Sequence, residues 1–96
     1  MPKITPKPFP AQNQLLDSKT LGEAVRSVRT HGGLSIEQAA LMIGVAKQTL
    51  SDLEAGKPTV SLGLALKVAN ELGVSIFVVP KTEQDRVQRF FLDSLK

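Results

Sequence analysis

The sequence predicts a mainly α-helical fold with one short C-terminal β-strand and a terminal helix. Between residues 20 and 74, apolar side chains recur at the i, i+3, i+4 spacing of helices, and glycines interrupt them at short intervals. Residues 75–79 form a run of β-branched and aromatic side chains that is typical of a strand. The chain of 96 residues is 42% hydrophobic, which suffices for the core of one small domain.

Composition excludes several classes of protein. The chain has no cysteine and one histidine, so we expect neither a disulfide nor a metal site built from these residues. Its apolar runs fall short of the ~20 residues that span a membrane. The net charge of +3 permits a polyanionic partner. We therefore expect a cytoplasmic protein without membrane contact, metal or cofactor.

Residues 1–19 are predicted to form a proline-rich N-terminal arm. Prolines at positions 2, 6, 8 and 10 fix the backbone and remove hydrogen-bond donors, so the arm is expected to be extended. Two interpretations of it remain open. It is either a solvated tail or an arm that reaches along DNA or over a partner.

A helical domain is predicted over residues 20–74. Thr20 and Glu23 have the spacing of a capping box, in which each side chain satisfies a backbone N–H at the start of the first helix. Two glycines at positions 32–33 are expected to end this helix with a left-handed cap.

The next two helices have equally clear boundaries. Ser35 and Gln38 form a second capping box, which opens a short helix that ends at Gly44. The third helix is predicted over residues 47–55, and the glycine that follows it ends it.

Ser61 is predicted to cap a fourth helix that ends at Gly73. This helix is apolar on nearly every side, so we expect one face to meet the core and another to meet a second subunit. Gly63 within it costs about 1 kcal/mol relative to alanine, so we expect a close backbone contact at that position.

The last zone, residues 75–96, is predicted to hold a dimerisation strand and a C-terminal helix over residues 83–95. A lone strand leaves its backbone N–H and C=O groups unpaired, and the proline-rich arm is a poor partner for it. Pairing with the same strand of a second copy is the simplest solution. The paired residues would be Ile76, Phe77, Val78 and Val79.

The segment IEQAALMIGVAKQTLSDLE, residues 36–54, has the spacing of a helix-turn-helix. Two helices that cross steeply need a small residue where they approach and a turn residue with positive φ. Ala40 supplies the small contact, and Gly44 supplies the turn. Leu50 and Leu53 are then spaced to pack the second helix of the pair onto the core.

Residues 21–74 resemble the helix-turn-helix domain shared by phage repressors and xenobiotic-response-element (XRE) regulators. The most specific features are Arg29, the Gly44 turn, the Glu-Ala-Gly sequence at 54–56 and the Leu-Gly-Val ending at 72–74. A helical domain followed directly by a strand is also similar to the antitoxins of Hip-type toxin–antitoxin modules, in which the strand pairs across a dimer.

The resemblance implies that the third helix enters the major groove of double-stranded DNA with its N-terminal side chains facing base edges. Their chemistry suits this role, because Gln pairs with adenine, Lys with guanine, Asp with cytosine and the Thr methyl with thymine. The predicted base contacts are Lys47, Gln48, Thr49, Ser51 and Asp52.

Phosphate contacts are expected from helix N-termini and from nearby donors. The candidates are Ser35, Gln38, Lys57, Thr59 and Ser61, although the two serines are also simple helix caps. The resemblance further implies that Arg29 forms a structural ion pair with Glu54, tying the recognition helix to the scaffold.

Two positions depart from the family pattern. Ile36 stands where the family usually has a polar residue near the DNA backbone, and Ala46 replaces the Ser or Thr that normally caps the recognition helix. The motif from residue 35 to residue 57 also has a net charge of −1. We therefore expect affinity to depend on dimerisation and on basic residues outside the motif.

Three functions are compatible with these observations. The resemblance favours a dimeric, sequence-specific repressor that binds a palindromic operator and also neutralises a kinase-like toxin. The alternative is a stand-alone XRE-type regulator, such as a phage repressor or a restriction-modification controller. The third hypothesis is a protein-interaction module that has lost DNA binding. An enzyme is not expected, because we recognise no nucleophile–base pair and no phosphate-cradling glycine loop.

Overall fold

A computed structural model describes residues 3–11 and 14–94 of the chain. Within these residues five α-helices follow one another, and a single 3₁₀ turn, Lys81–Glu83, leads into the last of them. The helices are α1 (Ser18–His31), α2 (Ile36–Ile43), α3 (Lys47–Glu54), α4 (Leu62–Leu72) and α5 (Gln84–Ser94).

The core lies between the first four helices. Val25 of α1, Leu50 of α3 and Val68 of α4 are completely buried, and two alanines of α2 complete the contact. Helix α1 packs against both α3 and α4, and α2 packs against α3. The buried apolar residues are Leu21, Ala24, Val25, Ala39, Ala40, Ile43, Leu50, Leu53, Ala65, Val68 and Ala69.

The start of α1 differs from the prediction. Asp17 caps the helix, and its carboxylate accepts a hydrogen bond of 2.7 Å from the Thr20 backbone N–H. This hydrogen bond lowers the pKa of the Asp17 carboxyl below its ordinary value. The predicted capping box of Thr20 with Glu23 is therefore wrong: Asp17 lies three residues ahead of Thr20, and its charged acceptor forms the cap.

The predicted caps of α2 and α4 are confirmed, whereas α3 ends at Glu54, one residue before its predicted end. The Ser35 hydroxyl accepts from the Gln38 N–H at 3.1 Å, and the Gln38 side chain accepts from the Ser35 N–H at 2.9 Å. The Ser61 hydroxyl caps α4 by accepting from the Leu64 N–H at 3.3 Å, and α4 ends at Gly73 with φ of +95°.

The predicted C-terminal strand is not formed. Residues 74–80 are irregular, and none of the residues the structure describes belongs to a β-strand. Ile76 packs against the core, whereas Phe77 and Val78 are 81% and 91% exposed and Val79 is also exposed. The physical reason is that a strand requires hydrogen bonds to a neighbouring strand, and the described part of the chain provides no such strand beside these residues.

Helix α5 begins at Gln84, one residue after the predicted start, and Leu95 lies outside the described residues. It buries none of its side chains fully, and Phe90 is 67% exposed. An apolar cavity of about 220 Å³ separates α5 from α1 and the proline-rich arm. Its walls carry no ionisable side chain among the described residues, and they include Phe9, Leu16, Leu21, Ile76, Val87 and Phe91.

The arm contacts the end of α1, where the Lys7 N–H donates to the Thr30 hydroxyl at 2.9 Å. Within α4, a Cβ atom at Gly63 would meet no described atom outside its own stretch of helix within 4 Å, so the expected close backbone contact is not formed among the described residues. No helix in the described part of the chain is both long and apolar enough to cross a membrane.

Candidate nucleic-acid interface

The α2–turn–α3 unit is fixed by a left-handed turn. Gly44 has φ of +86°, a region that favours glycine, and its N–H donates to the Ala40 carbonyl at 2.9 Å. The Val45 N–H donates to the same carbonyl at 3.0 Å. Helix α3 then buries Leu50 and Leu53, so its opposite face points away from the core.

A buried ion pair ties α3 to α1. The Arg29 guanidinium contacts the Glu54 carboxylate twice, at 2.6 and 2.9 Å, and both side chains are less than a tenth exposed. The same guanidinium donates to the Leu34 carbonyl at 2.8 Å, so Arg29 also holds the loop before α2. The pair therefore fixes the orientation of α3 relative to the rest of the bundle.

Gly22 permits this close approach of α1 and α3. It was not among the residues predicted to hold the two helices together. A Cβ atom at Gly22 would lie 2.5 Å from the Leu53 carbonyl oxygen and 2.7 Å from that of Glu54. A glycine inside a predicted helix was the available signal, because glycine there usually has a packing reason.

The predicted base contacts lie along the outer face and flanks of α3. Lys47 and Gln48 are exposed, whereas Thr49, Ser51 and Asp52 are half-buried. Ser51 also borders a groove with Arg26 of α1.

Lys47 pairs with an acidic residue of α2. Its ammonium lies 2.6 Å from the Glu37 carboxylate, and both side chains are 61% exposed. The hydrogen bond from Lys47 lowers the pKa of the Glu37 carboxyl. The pair joins the two helices of the motif at the surface, where such contacts are weak and easily exchanged.

Asp52 connects Gln48 to Lys57. Its Oδ1 atom accepts from the Gln48 Nε2 at 2.9 Å and lies 3.1 Å from the Lys57 Nζ. These two donors, with Gln48 first, lower the pKa of the Asp52 carboxyl. A base-contact candidate and a phosphate-contact candidate are thereby joined through one carboxylate.

The remaining phosphate-contact candidates have structural partners or lie in the open. Ser35 and Gln38 cap α2, and Ser61 caps α4, so these side chains already have a structural role. Lys57 is more than half exposed, and Thr59 is exposed in the loop before α4.

Both departures from the family pattern have visible consequences. Ala46 precedes α3 and makes no side-chain hydrogen bond to the helix, so α3 lacks the side-chain cap that α2 has. Ile36 is half-buried against the core, where it adds apolar contact and offers no polar group to DNA.

The described residues contain no group of three or more His, Cys, Asp or Glu side chains arranged to hold a metal ion.

Comparisons with known proteins agree on this motif. Residues 25–79 match the helix-turn-helix family. The chain is also 39% identical over 64 residues to a Sinorhizobium fredii protein named as the uncharacterised HTH-type transcriptional regulator y4mF. That alignment covers 67% of this chain and 84% of the relative. No solved structure matches the chain significantly.

Proposed function

Because the chain belongs to the XRE-type helix-turn-helix family of transcriptional regulators, we propose that it is a sequence-specific, dimeric DNA-binding repressor. One observation carries the proposal. Helix α3 is anchored on its inner side by Leu50, Leu53 and the Arg29–Glu54 pair, and it presents a polar outer face. A rigidly held polar helix of this kind is what docking into the major groove requires.

In this proposal the base edges are read by the N-terminal half of α3. Gln48 and Lys47 are the most exposed of the candidates and carry the donors that adenine and guanine accept. Thr49 and Ser51 flank them, and Asp52 lies on the same face.

Phosphate contacts supply the sequence-independent part of the affinity. Lys57 is the main candidate, because it is exposed and lies just after α3. Thr59 and the capped N-termini at Ser35, Gln38 and Ser61 are further candidates. Additional positive charge comes from Lys3, Lys7, Lys19 and Arg26.

We propose that the apolar C-terminal region forms the dimer contact. Phe77, Val78 and Phe90 are mostly exposed, and exposed apolar side chains grouped in one region are typical of an interaction surface. A dimer would place two α3 helices on a palindromic operator, which compensates for the net negative motif.

The antitoxin role is a finer proposal that rests on the resemblance to Hip-type antitoxins and on this apolar region. The protein would then bind a kinase-like toxin and repress its own operon. A stand-alone XRE-type regulator would share the DNA chemistry and lack the toxin.

Binding to DNA from upstream of the protein's own gene, compared with scrambled DNA of equal length at low and physiological salt, tests the main proposal. We expect specific binding that survives physiological salt and protects one palindrome per dimer. Equal loss of both complexes with salt would contradict it and favour a protein-interaction module instead.

Two variants distinguish base contacts from phosphate contacts. Gln48→Ala should weaken operator binding by about 1–3 kcal/mol and relax the base preference, whereas Lys57→Ala should weaken all sequences similarly and reduce the salt slope. Full sequence discrimination by Gln48→Ala would refute the assignment of that residue.

The antitoxin proposal is tested by expressing the protein together with the product of the neighbouring gene. Restored growth of cells that the neighbouring protein alone arrests, with co-purification of the two, would support it. Unchanged growth arrest would leave the stand-alone regulator as the better description.

A further inference from the structure

We infer that Asp52 is a positioning residue, which fixes the amide of Gln48 for base recognition and does not itself read a base. This inference rests on the proposed DNA-binding function. Asp52 is thereby removed from the predicted base contacts.

A side-chain hydrogen bond joins Asp52 to Gln48. Gln48 and Asp52 are four residues apart on α3, so their side chains are neighbours on one helix face. The Asp52 Oδ1 accepts from the Gln48 Nε2 at 2.9 Å. An ionised carboxylate only accepts hydrogen bonds, so the Gln48 amide must turn its nitrogen toward Asp52.

This orientation leaves Gln48 with a defined outer edge. The Nε2 atom keeps one free N–H, and the carbonyl oxygen remains an acceptor. One donor beside one acceptor is the pattern that pairs with N7 and N6 of adenine in the major groove. Without Asp52, the amide is free to rotate and to present either group outward.

Asp52 also pairs with the positive charge of Lys57. The same Oδ1 atom lies 3.1 Å from the Lys57 ammonium, and Lys57 makes a backbone hydrogen bond to the Asp52 carbonyl at 3.0 Å. Lys57 is 57% exposed, whereas the Asp52 side chain is 26% exposed. The Asp52 carboxylate is therefore less exposed than the side chains of Gln48 and Lys57. Its negative charge neutralises Lys57 and so weakens the attraction of Lys57 for DNA phosphates.

These two roles predict effects of opposite sign for Asp52→Ala. The preference for the correct base should fall, because Gln48 loses its fixed orientation. Affinity for unrelated DNA should rise, because a negative charge is removed and Lys57 is released toward phosphate. A residue with a merely structural role would lower both.

The experiment selects the preferred sequence of the wild-type protein from random double-stranded DNA and then measures binding of the wild type, Gln48→Ala, Asp52→Ala and the double variant. The base pair at which Gln48→Ala loses preference is identified first. Asp52→Ala should lose about tenfold in preference at that same pair and bind unrelated DNA about two- to fivefold tighter. The double variant should lose no more preference than Gln48→Ala.

Asp52→Asn is the matched variant. It removes the charge but keeps an oxygen that can accept from Gln48, so it should bind unrelated DNA as tightly as Asp52→Ala and keep more of the base preference. Unchanged circular dichroism and thermal midpoint of each variant exclude misfolding.

Several outcomes overturn the inference. Loss of preference at a different base pair would make Asp52 a direct contact. Full preference in Asp52→Ala, equal losses in Asp52→Ala and Asp52→Asn, or parallel loss on all DNA would each refute positioning. If the wild type selects no sequence, the proposed function fails and this inference fails with it. If the wild type does select a DNA sequence and one of the earlier outcomes is observed, the inference about Asp52 fails while the proposed function stands.

Discussion

The helical bundle of residues 18–73 and the C-terminal region of residues 74–94 differ in whether they form a buried core, although α2 and α4 of the bundle also expose Leu41 and Leu62. In the bundle, side chains such as Val25, Leu50 and Val68 are completely buried. In the C-terminal region no residue is fully buried, and Phe77 and Val78 are almost completely exposed. The bundle thus forms a core from its own residues, whereas the C-terminal region forms none, and the proposed dimer contact would cover its exposed apolar side chains.

This difference predicts that substitutions in the two regions affect different properties, namely stability and assembly. Residues of the bundle are constrained by packing within the chain, and their substitution should change the free energy of unfolding. Residues of the C-terminal region make few contacts within the chain, so their substitution should act mainly on assembly.

Arg29→Ala should destabilise the bundle most. It would leave the Glu54 carboxylate buried without its partner, at a cost of about 3–5 kcal/mol. Urea unfolding followed by circular dichroism measures this change. Arg26→Ala is the matched control, because it removes the same side chain from an exposed position of α1 and should change stability by less than about 0.5 kcal/mol. Similar effects of both variants would show that the pair does not hold α3.

Gly22→Ala should destabilise by about 1–3 kcal/mol, because its Cβ would meet two backbone carbonyls that cannot move without shifting α3. Gly63→Ala in α4 is the control. Its Cβ would meet no atom of the described residues beyond its own stretch of α4, so it should stabilise by about 0.5–1 kcal/mol through the higher helix propensity of alanine. Thermal unfolding compares the two, and a stabilised Gly22→Ala would contradict the close approach. A stable Gly63→Ala with weakened dimerisation would show that the predicted close contact at Gly63 lies between subunits.

Ala46→Ser should stabilise the protein by about 1 kcal/mol, because the hydroxyl can accept from a free N–H in the first turn of α3. A raised thermal midpoint in differential scanning calorimetry is the expected result. Ala55→Ser at the other end of α3 adds the same hydroxyl without an N-terminal N–H to cap, and it should give no comparable gain. Equal midpoints for the two variants would contradict a missing cap.

Phe77→Asp should change the free energy of unfolding of the single chain least, by less than about 0.5 kcal/mol, because the side chain is exposed. It should nevertheless convert the proposed dimer to a monomer in sedimentation equilibrium. Leu41→Asp on α2, an equally exposed leucine, should leave the dimer mass unchanged. A dimer that survives Phe77→Asp would place the contact elsewhere.

Much of the helix-turn-helix geometry at the candidate interface was predictable from local sequence signals. The Gly44 turn and the Ser35–Gln38 capping box depend on residues that are three or four positions apart, and the structure contains both. Which of two candidate residues caps α1 was harder to predict. Asp17 and Thr20 both precede the apolar stripe, and the charged acceptor that lies farther from it forms the cap.

The sequence by itself therefore determined the number and order of the helices, the turn between α2 and α3, and the face of α3 that is buried. These features follow from helical periodicity and from short-range hydrogen bonds, which any window of about 15 residues contains. Only the tertiary structure decided the features that join distant residues. Three features depend on which segments meet in space: the close approach at Gly22, the ion pair of Lys57 with Asp52 and the unpaired state of residues 75–79. The spacing of residues along the chain does not specify which segments meet.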